Sequence, residues 1–306
     1  MNFPTPHSTI MNALSLFVLA CCIGTASCSK ESESVGHESS MNSKPTGKAT
    51  ASPRPETLAT NTATPPNQEN SDVTLVVNLP AFELVLRKSG ATIKKYRIGI
   101  GRKQFRTILG VHNASSIIWN PTWIPPDSPW VKEMDDVAPG DRIRAGDPRN
   151  PLGKIKIPLG SSYLIHESAK SSDIGRLVSH GCIRMRRSDL YNLAETILEA
   201  RNWPVSKTQV EKAKRSKTSL IARLKPAVKI EIIYDTIIVK DGTLWIYRDI
   251  YQRRLNTIER IRSVLQNAGV DTSSIADKVL GKLIQRSKKA GMVRIEINDL
   301  NANSRA

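Results

Sequence analysis

Cysteine is scarce in this chain. There are four in 306 residues, and Cys21, Cys22 and Cys28 all lie in or directly after one N-terminal apolar stretch. That placement excludes the disulfide framework of a small secreted domain and a four-cysteine zinc site. Aromatic residues make up only 5% and hydrophobic residues 39% of the chain, which supports a modest core and much solvated sequence. Acidic side chains are outnumbered, 28 against 45 basic ones, for a formal net charge of +17. Such a surface suits an anionic partner: nucleic acid, phospholipid headgroups or an acidic wall polymer. No nucleic-acid-binding module accompanies the charge, so nucleic acid is not expected as a partner. The segment IGIGRKQ has Gln104 where a dinucleotide fingerprint needs its third glycine, and no βαβ pattern surrounds it. Internal repeats are also lacking.

The first 28 residues carry no Lys, Arg, Asp or Glu. Within them ALSLFVLACCIGTAS, residues 13–27, is an apolar run shorter than the ~20 residues a membrane span needs. It resembles the apolar region of a secretory signal, although the positive segment that usually precedes one is missing. TASC followed by SKESES resembles a bacterial lipoprotein signal, in which Cys28 would be acylated and become the new N-terminus. Cys21 and Cys22 are alternative lipid sites with poorer flanks. The expectation is a periplasmic protein held at the inner or outer membrane by lipid, with residues 1–28 as signal. Residues 29–72, rich in Ser, Thr, Pro, Asn and Ala, read as a disordered tether. The only other cysteine is then Cys182.

Order is expected from Val73. VTLVVNLP, AFELVLRKSG and ATIKKYRIGIG are β-branched runs broken by Pro80 and Ser89-Gly90, and they predict an antiparallel meander. Residues 120–159 are dense in proline and predict an irregular region without helix. Trp119, Trp123 and Trp130 lie in or beside it, to pin the loop or to line a groove. SYLIHES predicts a buried strand carrying His166, and SDLYNLAETILEARN a helix capped by Ser188. Residues 206–226 are basic and read as a solvated helix or linker. VKIEIIYDTIIVKDGTLWIYRD predicts a hairpin turning at Asp241-Gly242, and residues 256–290 an amphipathic helical region.

A thiol attacks as its thiolate and needs a nearby base. His7 and His37 fall in the signal and tether, which leaves His112, His166 and His180. His180 stands two positions before Cys182, with Gly181 between them. His166 would come beside Cys182 by antiparallel pairing of its strand. Gly181 would let the backbone approach a substrate carbonyl, and amides near Cys182 would form an oxyanion hole.

The wider segment IHESAKSSDIGRLVSHGCIRMRRSDL resembles the active-site stretch of the L,D-transpeptidase catalytic (YkuD-type) family. Ile174-Gly175 and Ser179 to Met185 fall in place, with an 11-residue spacer over 168–178. YRIGIGRKQFRTILG, NPTWIPPDSPW and GDPRNPLGKIKI are similar to further family elements, and the trailing hairpin more loosely so. The resemblance implies a mainly β, sandwich-like catalytic domain over residues 73–205 with flanking helices. A linker over 206–226 and a C-terminal hairpin and helical extension over 227–306 would follow. It implies peptidoglycan stem peptides as partners and no metal or cofactor. Cys182 would attack the third stem residue's carbonyl and release D-alanine, and an amine acceptor would resolve the thioester. Water as acceptor would make the enzyme a carboxypeptidase. His166 would move the proton, His180, Ser179 and Gly181 would support the loop, and Arg184 would organise the site or face a carboxylate. The chain departs from the family at Glu167-Ser168, where Gly-Thr is usual. A carboxylate there is expected to raise the pKa of His166 or hinder the donor stem. It also admits a different reading, a non-catalytic wall-binding lipoprotein.

Overall fold

The computed structural model describes residues 73–302, so the expectations for the apolar run, Cys28 and the tether lie outside the described residues. Alternation sets the first strands. In β1 (Val73–Asn78) Val73, Leu75 and Val77 are buried between half-exposed neighbours, and in β2 (Glu83–Lys88) Leu84 and Leu86 are. With β3 (Ala91–Arg97) they form the expected meander, β2 pairing antiparallel with both neighbours. The chain continues through β4 (Ile100–Gly101), β5 (Gly110–Trp119), β6 (Ile155–Gly160), β7 (Tyr163–Glu167), β8 (Leu177–Ser179) and β9 (Ile183–Met185). Between β5 and β6 a single short helix, α1 (Pro129–Lys132), interrupts the proline-rich segment. The expectation of no helix there fails because Pro129 occupies the first helical turn, where its missing N–H costs nothing.

The main sheet has eight strands in the order β3-β2-β1-β10-β5-β6-β7-β9. Just past β3, Gly99 exchanges backbone hydrogen bonds with Arg184 of β9, both at 2.8 Å, so the two edges of the sheet meet. A short parallel pair, β4 with β8, lies at that closure. The fold is thus mainly β with flanking helices. α2 (Arg187–Ala200) buries Leu190, Leu193, Ala194, Ile197 and Leu198. Its N-cap is Arg186, and Ser188 lies inside the first turn rather than capping it.

Two boundaries differ from the sequence reading. Residues 206–226 are no free linker. α3 (Lys207–Arg215) carries a capping box between Ser206 and Gln209 and buries Val210 and Ala213 in the main core. The division at 226 also falls inside β10 (Leu220–Ile233), which runs parallel to β1 and antiparallel to β5 in the middle of the sheet. Ala222, Leu224, Val228, Ile230 and Ile232 are its buried residues, so VKIEII belongs to the core of the main sheet and not to a hairpin.

The hairpin itself is β11 (Ile237–Lys240) with β12 (Thr243–Tyr247), turning at Asp241 (φ 49) and Gly242 (φ 70). α4 (Ile258–Asn267) and α5 (Asp277–Ala290) follow as amphipathic helices. β13 (Met292–Glu296) then pairs with β12, and α6 (Ile297–Ala302) ends the described chain. The C-terminal region is thus the expected hairpin and helical extension, with β13 added as a third strand on β12. Its own core includes Leu244, Ile246, Ile261, Leu265, Leu280 and Leu283. No described helix is long and apolar enough to cross a membrane.

Candidate active site

Strand register brings the thiol and the imidazole together, though not by the expected antiparallel pairing. β7 and β9 run parallel, with Ile165 opposite Ile183, His166 opposite Arg184 and Glu167 opposite Met185. The reason is the connection: the chain between them crosses over through β8 and the closure at Gly99 before β9 is laid down. Ile165, Ile183 and Met185 are fully buried in the core, so His166 and Arg184 point to the opposite face. Cys182 immediately precedes β9 and sits one row up, beside Leu164. Ordinary strand spacings put its Cα about 8 Å from that of His166, within reach of two side chains.

The turn before the thiol is held from several sides. Ser179 Oγ donates to the Cys182 carbonyl and accepts from Gly181 N–H at 3.1 Å. That amide is therefore engaged within the turn and does not serve the expected oxyanion hole. Gly181 has φ +112, and a Cβ there would stand 2.6 Å from the Tyr163 ring. Gly101 is tighter still, since a Cβ would lie 2.1 Å from the Phe105 carbonyl. The IGIG segment thus serves close packing against the turn: Arg102 N–H donates to the Ser179 carbonyl at 2.9 Å. Thr107 Oγ1 accepts from Gly101 N–H at 2.9 Å. Tyr251, buried and far along the chain, donates its hydroxyl to the Gly101 carbonyl at 2.8 Å and accepts from Thr107 N–H at 3.2 Å.

His180 faces away from the extended path because Gly181 turns the chain. Its ring stacks on Trp130 of α1, with centroids 4.2 Å apart and planes 3° from parallel, and meets the Phe105 edge at 4.6 Å. Trp123 stacks behind Trp130 at 6.3 Å. Both readings of the tryptophans therefore hold in part. Trp119 and Trp123 are buried packing, while half-buried Trp130 carries the proline-rich loop onto the thiol's neighbour.

Burial lowers the His166 pKa to about 4, the Arg184 charge adds to that, and the Glu167 backbone carbonyl works against it. Its Nδ1 is buried without a hydrogen-bond partner. Burial pushes the Cys182 thiol up, against a Leu164 backbone hydrogen bond and the charge of Arg184. At neutral pH the resting pair is therefore thiol and neutral imidazole. The His180 pKa is lowered by burial and then by Arg102 and Arg184, with Glu133 opposing.

Arg184 is paired inward. It donates to Asp173 Oδ2 at 2.9 Å, and Ser168 Oγ donates to the same oxygen at 2.6 Å. Glu167 lies on the core-facing side of β7, opposite to His166. Its Oε2 accepts from Lys154 N–H at 2.7 Å and its Oε1 from Arg187 Nε at 2.7 Å. The expected effects of Glu167 on the base are overturned: the carboxylate is turned away and already bound. Lys156, by contrast, stands opposite His166 across β6 and β7. Its half-buried ammonium donates only to the Thr122 carbonyl, at 3.3 Å. Sequence reasoning missed Lys156, Tyr163, Asp173 and Tyr251. Only the paired glycines Gly99 and Gly101, spaced to share a strand face, signalled a close approach.

Fold and site together define a mainly β domain that sets a cysteine and a buried histidine on one face of adjoining strands. Residues 72–212 match the family model of the L,D-transpeptidase catalytic domain, YkuD. The chain is similar to the probable L,D-transpeptidase YbiS of Escherichia coli K12, with 32% identity over 77 residues, 25% of either chain. A probable L,D-transpeptidase of Salmonella typhimurium, ErfK/SrfK, is 27% identical over 128 residues, 40% of either chain. The chain thus matches less than half the length of these curated relatives. Among solved structures, an L,D-transpeptidase from Mycobacterium smegmatis aligns over 53% of this chain and 58% of its own, at 14% identity and a TM-score of 0.33.

Proposed function

We propose that the chain is a cysteine L,D-transpeptidase acting on peptidoglycan stem peptides. The observation that carries this is a neutral, buried His166 on the same strand face as Cys182, one strand away. In the forward step Cys182 Sγ attacks the third-residue carbonyl while its proton passes to His166. The tetrahedral intermediate collapses by breaking the bond to D-alanine, whose amine takes that proton. An acceptor amine then attacks the thioester, gives a proton to His166, and the thiol is regenerated as the new amide forms. Burial favours the uncharged form of both groups, so the thiolate is formed as its proton passes to His166.

Ser179 and Gly181 fix the nucleophile's turn, the Trp130–His180 stack walls one side, and the Arg184–Asp173–Ser168 network holds the strand beneath. Lys156 offers an ammonium to a carboxylate of the donor stem. The protein acts in the periplasm, tethered through lipid on Cys28. Purified protein incubated with a carbapenem is expected to gain the mass of one acyl adduct on Cys182, and with disaccharide-tetrapeptide to release D-alanine. Cys182→Ala abolishes both. A reduced, folded protein that does neither is a wall-binding protein and not an enzyme, and a tripeptide product alone makes it a carboxypeptidase. Fractionation, with the mass of the N-terminal peptide, tests the tether.

A further inference from the structure

Between the family-matched domain and the C-terminal α/β region lies an open groove of about 1160 Å³. Its walls carry Lys103, which follows β4, and Arg176, which precedes β8. Arg248 follows β12, Arg254 lies in the loop leading to α4, and Lys288 is on α5. Against these five cations stands one carboxylate, Asp249, whereas the whole chain has 45 basic to 28 acidic residues. Asp249 forms an ion pair with none of them and leaves a local excess of positive charge. Its Oδ1 accepts from the Tyr234 hydroxyl at 2.7 Å and its Oδ2 from Leu255 N–H at 3.2 Å, so it shapes the loop. None of the five cations is ion-paired with a described residue, although exposed pairs such as Lys132–Asp127 and Arg149–Asp147 form elsewhere.

Two wall residues, Gln252 and Arg254, hold left-handed backbone at φ 55 and 60. Non-glycine residues persist there only where the surroundings fix them, and such positions cluster at functional sites. The groove is larger than the ~300–1,000 Å³ of a small-molecule pocket, and its cations come from separate segments. That suits an extended ligand with anionic groups at intervals. Three of the five are guanidiniums, whose fork matches a carboxylate. From Arg176 the chain enters β8 and runs directly to Ser179, which holds the Cys182 turn.

We infer that this groove binds a carboxylate-bearing peptidoglycan strand, so that the C-terminal region presents polymeric wall to the thiol. The inference rests on the proposed function for its ligand. It is tested on the full chain with two separate readouts: retention on purified sacculi, and acylation of Cys182 by a carbapenem. Reversing Arg248 and Arg254 to Glu is expected to lower retention at least tenfold and to flatten its salt dependence, with acylation within twofold of the parent. Reversing the exposed pair Arg87 and Lys88, which lie off the groove, controls for net charge. Unchanged retention in the groove variant, or an equal loss in the control, overturns the inference. Poly-glutamate should displace the protein from sacculi at lower charge concentration than polyphosphate does. The opposite order overturns the carboxylate assignment. A parent protein that is retained but never acylated sinks the transpeptidase reading and leaves the groove standing.

Discussion

Replacing Glu167 asks whether a carboxylate next to the base in sequence acts on the base in space. The side chain is 8% exposed and bound at both oxygens, by Lys154 N–H and by Arg187 Nε. Glu167→Ala leaves the Lys154 amide without its acceptor, which costs ~1–3 kcal/mol. Arg187 is 60% exposed, so its pair with Glu167 is screened by solvent and contributes no more than ~1 kcal/mol. The sum is a loss of ~1–4 kcal/mol for alanine. Glu167→Gln keeps an acceptor for the amide and is expected to cost about 1 kcal/mol or less. Neither change reaches the opposite face of β7, so carbapenem acylation of Cys182 should stay within twofold. Urea unfolding followed by fluorescence gives the first quantity, and stopped-flow acylation the second. An alanine variant of unchanged stability, or one whose acylation shifts tenfold in either direction, refutes the placement of Glu167 as a structural anchor.

Three further outcomes follow from the same geometry. His166 has a folded pKa of about 4 against 6.5 for an unperturbed imidazole, so the unfolded chain binds more protons between those values. Its contribution is present above pH 6.5 and lost as pH falls through 4, roughly 3 kcal/mol in all, and His166→Asn should remove that part of the urea-unfolding pH dependence. The acylation rate should accordingly hold between pH 7 and 5.5, and a tenfold fall there would show an ordinary, exposed imidazole. Lys156→Met should raise KM for a tetrapeptide donor several-fold while leaving kcat and carbapenem acylation nearly unchanged, because it removes a carboxylate partner and no proton-transfer group. Tyr251→Phe deletes the hydroxyl joining Gly101 and Thr107, and is expected to cost ~1–2 kcal/mol in thermal unfolding and to slow acylation by loosening the turn.

The meander, the β7 strand, the α2 helix and the Asp241-Gly242 hairpin were legible in sequence because each is encoded locally, by alternation, helical spacing or a turn dipeptide. The Ser179–Met185 segment was legible for another reason: its chemistry is compressed into seven residues. What local pattern does not carry is pairing partner and direction. Nothing in SYLIHES or CIRM states that their strands run parallel. That follows from the crossover through β8 and from the closure at Gly99, which depend on residues some 85 positions apart. Glu167 shows the same gap. Its place beside His166 in sequence suggested a neighbour in charge, whereas the period of a strand sends adjacent residues to opposite faces.

β10 carries this furthest. Its pattern of Val228, Ile230 and Ile232 between Lys229 and Glu231 reads equally well as half of a hairpin or as a sheet strand. Position decides: it fills the slot between β1 and β5. The family match ends at residue 212, so that slot is filled from beyond it. Tyr251, later still, closes the backbone around Gly101 behind the Cys182 turn. A chain cut at residue 212 would leave β1 and β5 with open edges on either side of an exposed apolar trough. The segment after the family match is therefore part of the architecture that holds the thiol: β10 cannot be removed without opening the sheet on which His166 stands, and Tyr251 cannot be removed without loosening the backbone at Gly101.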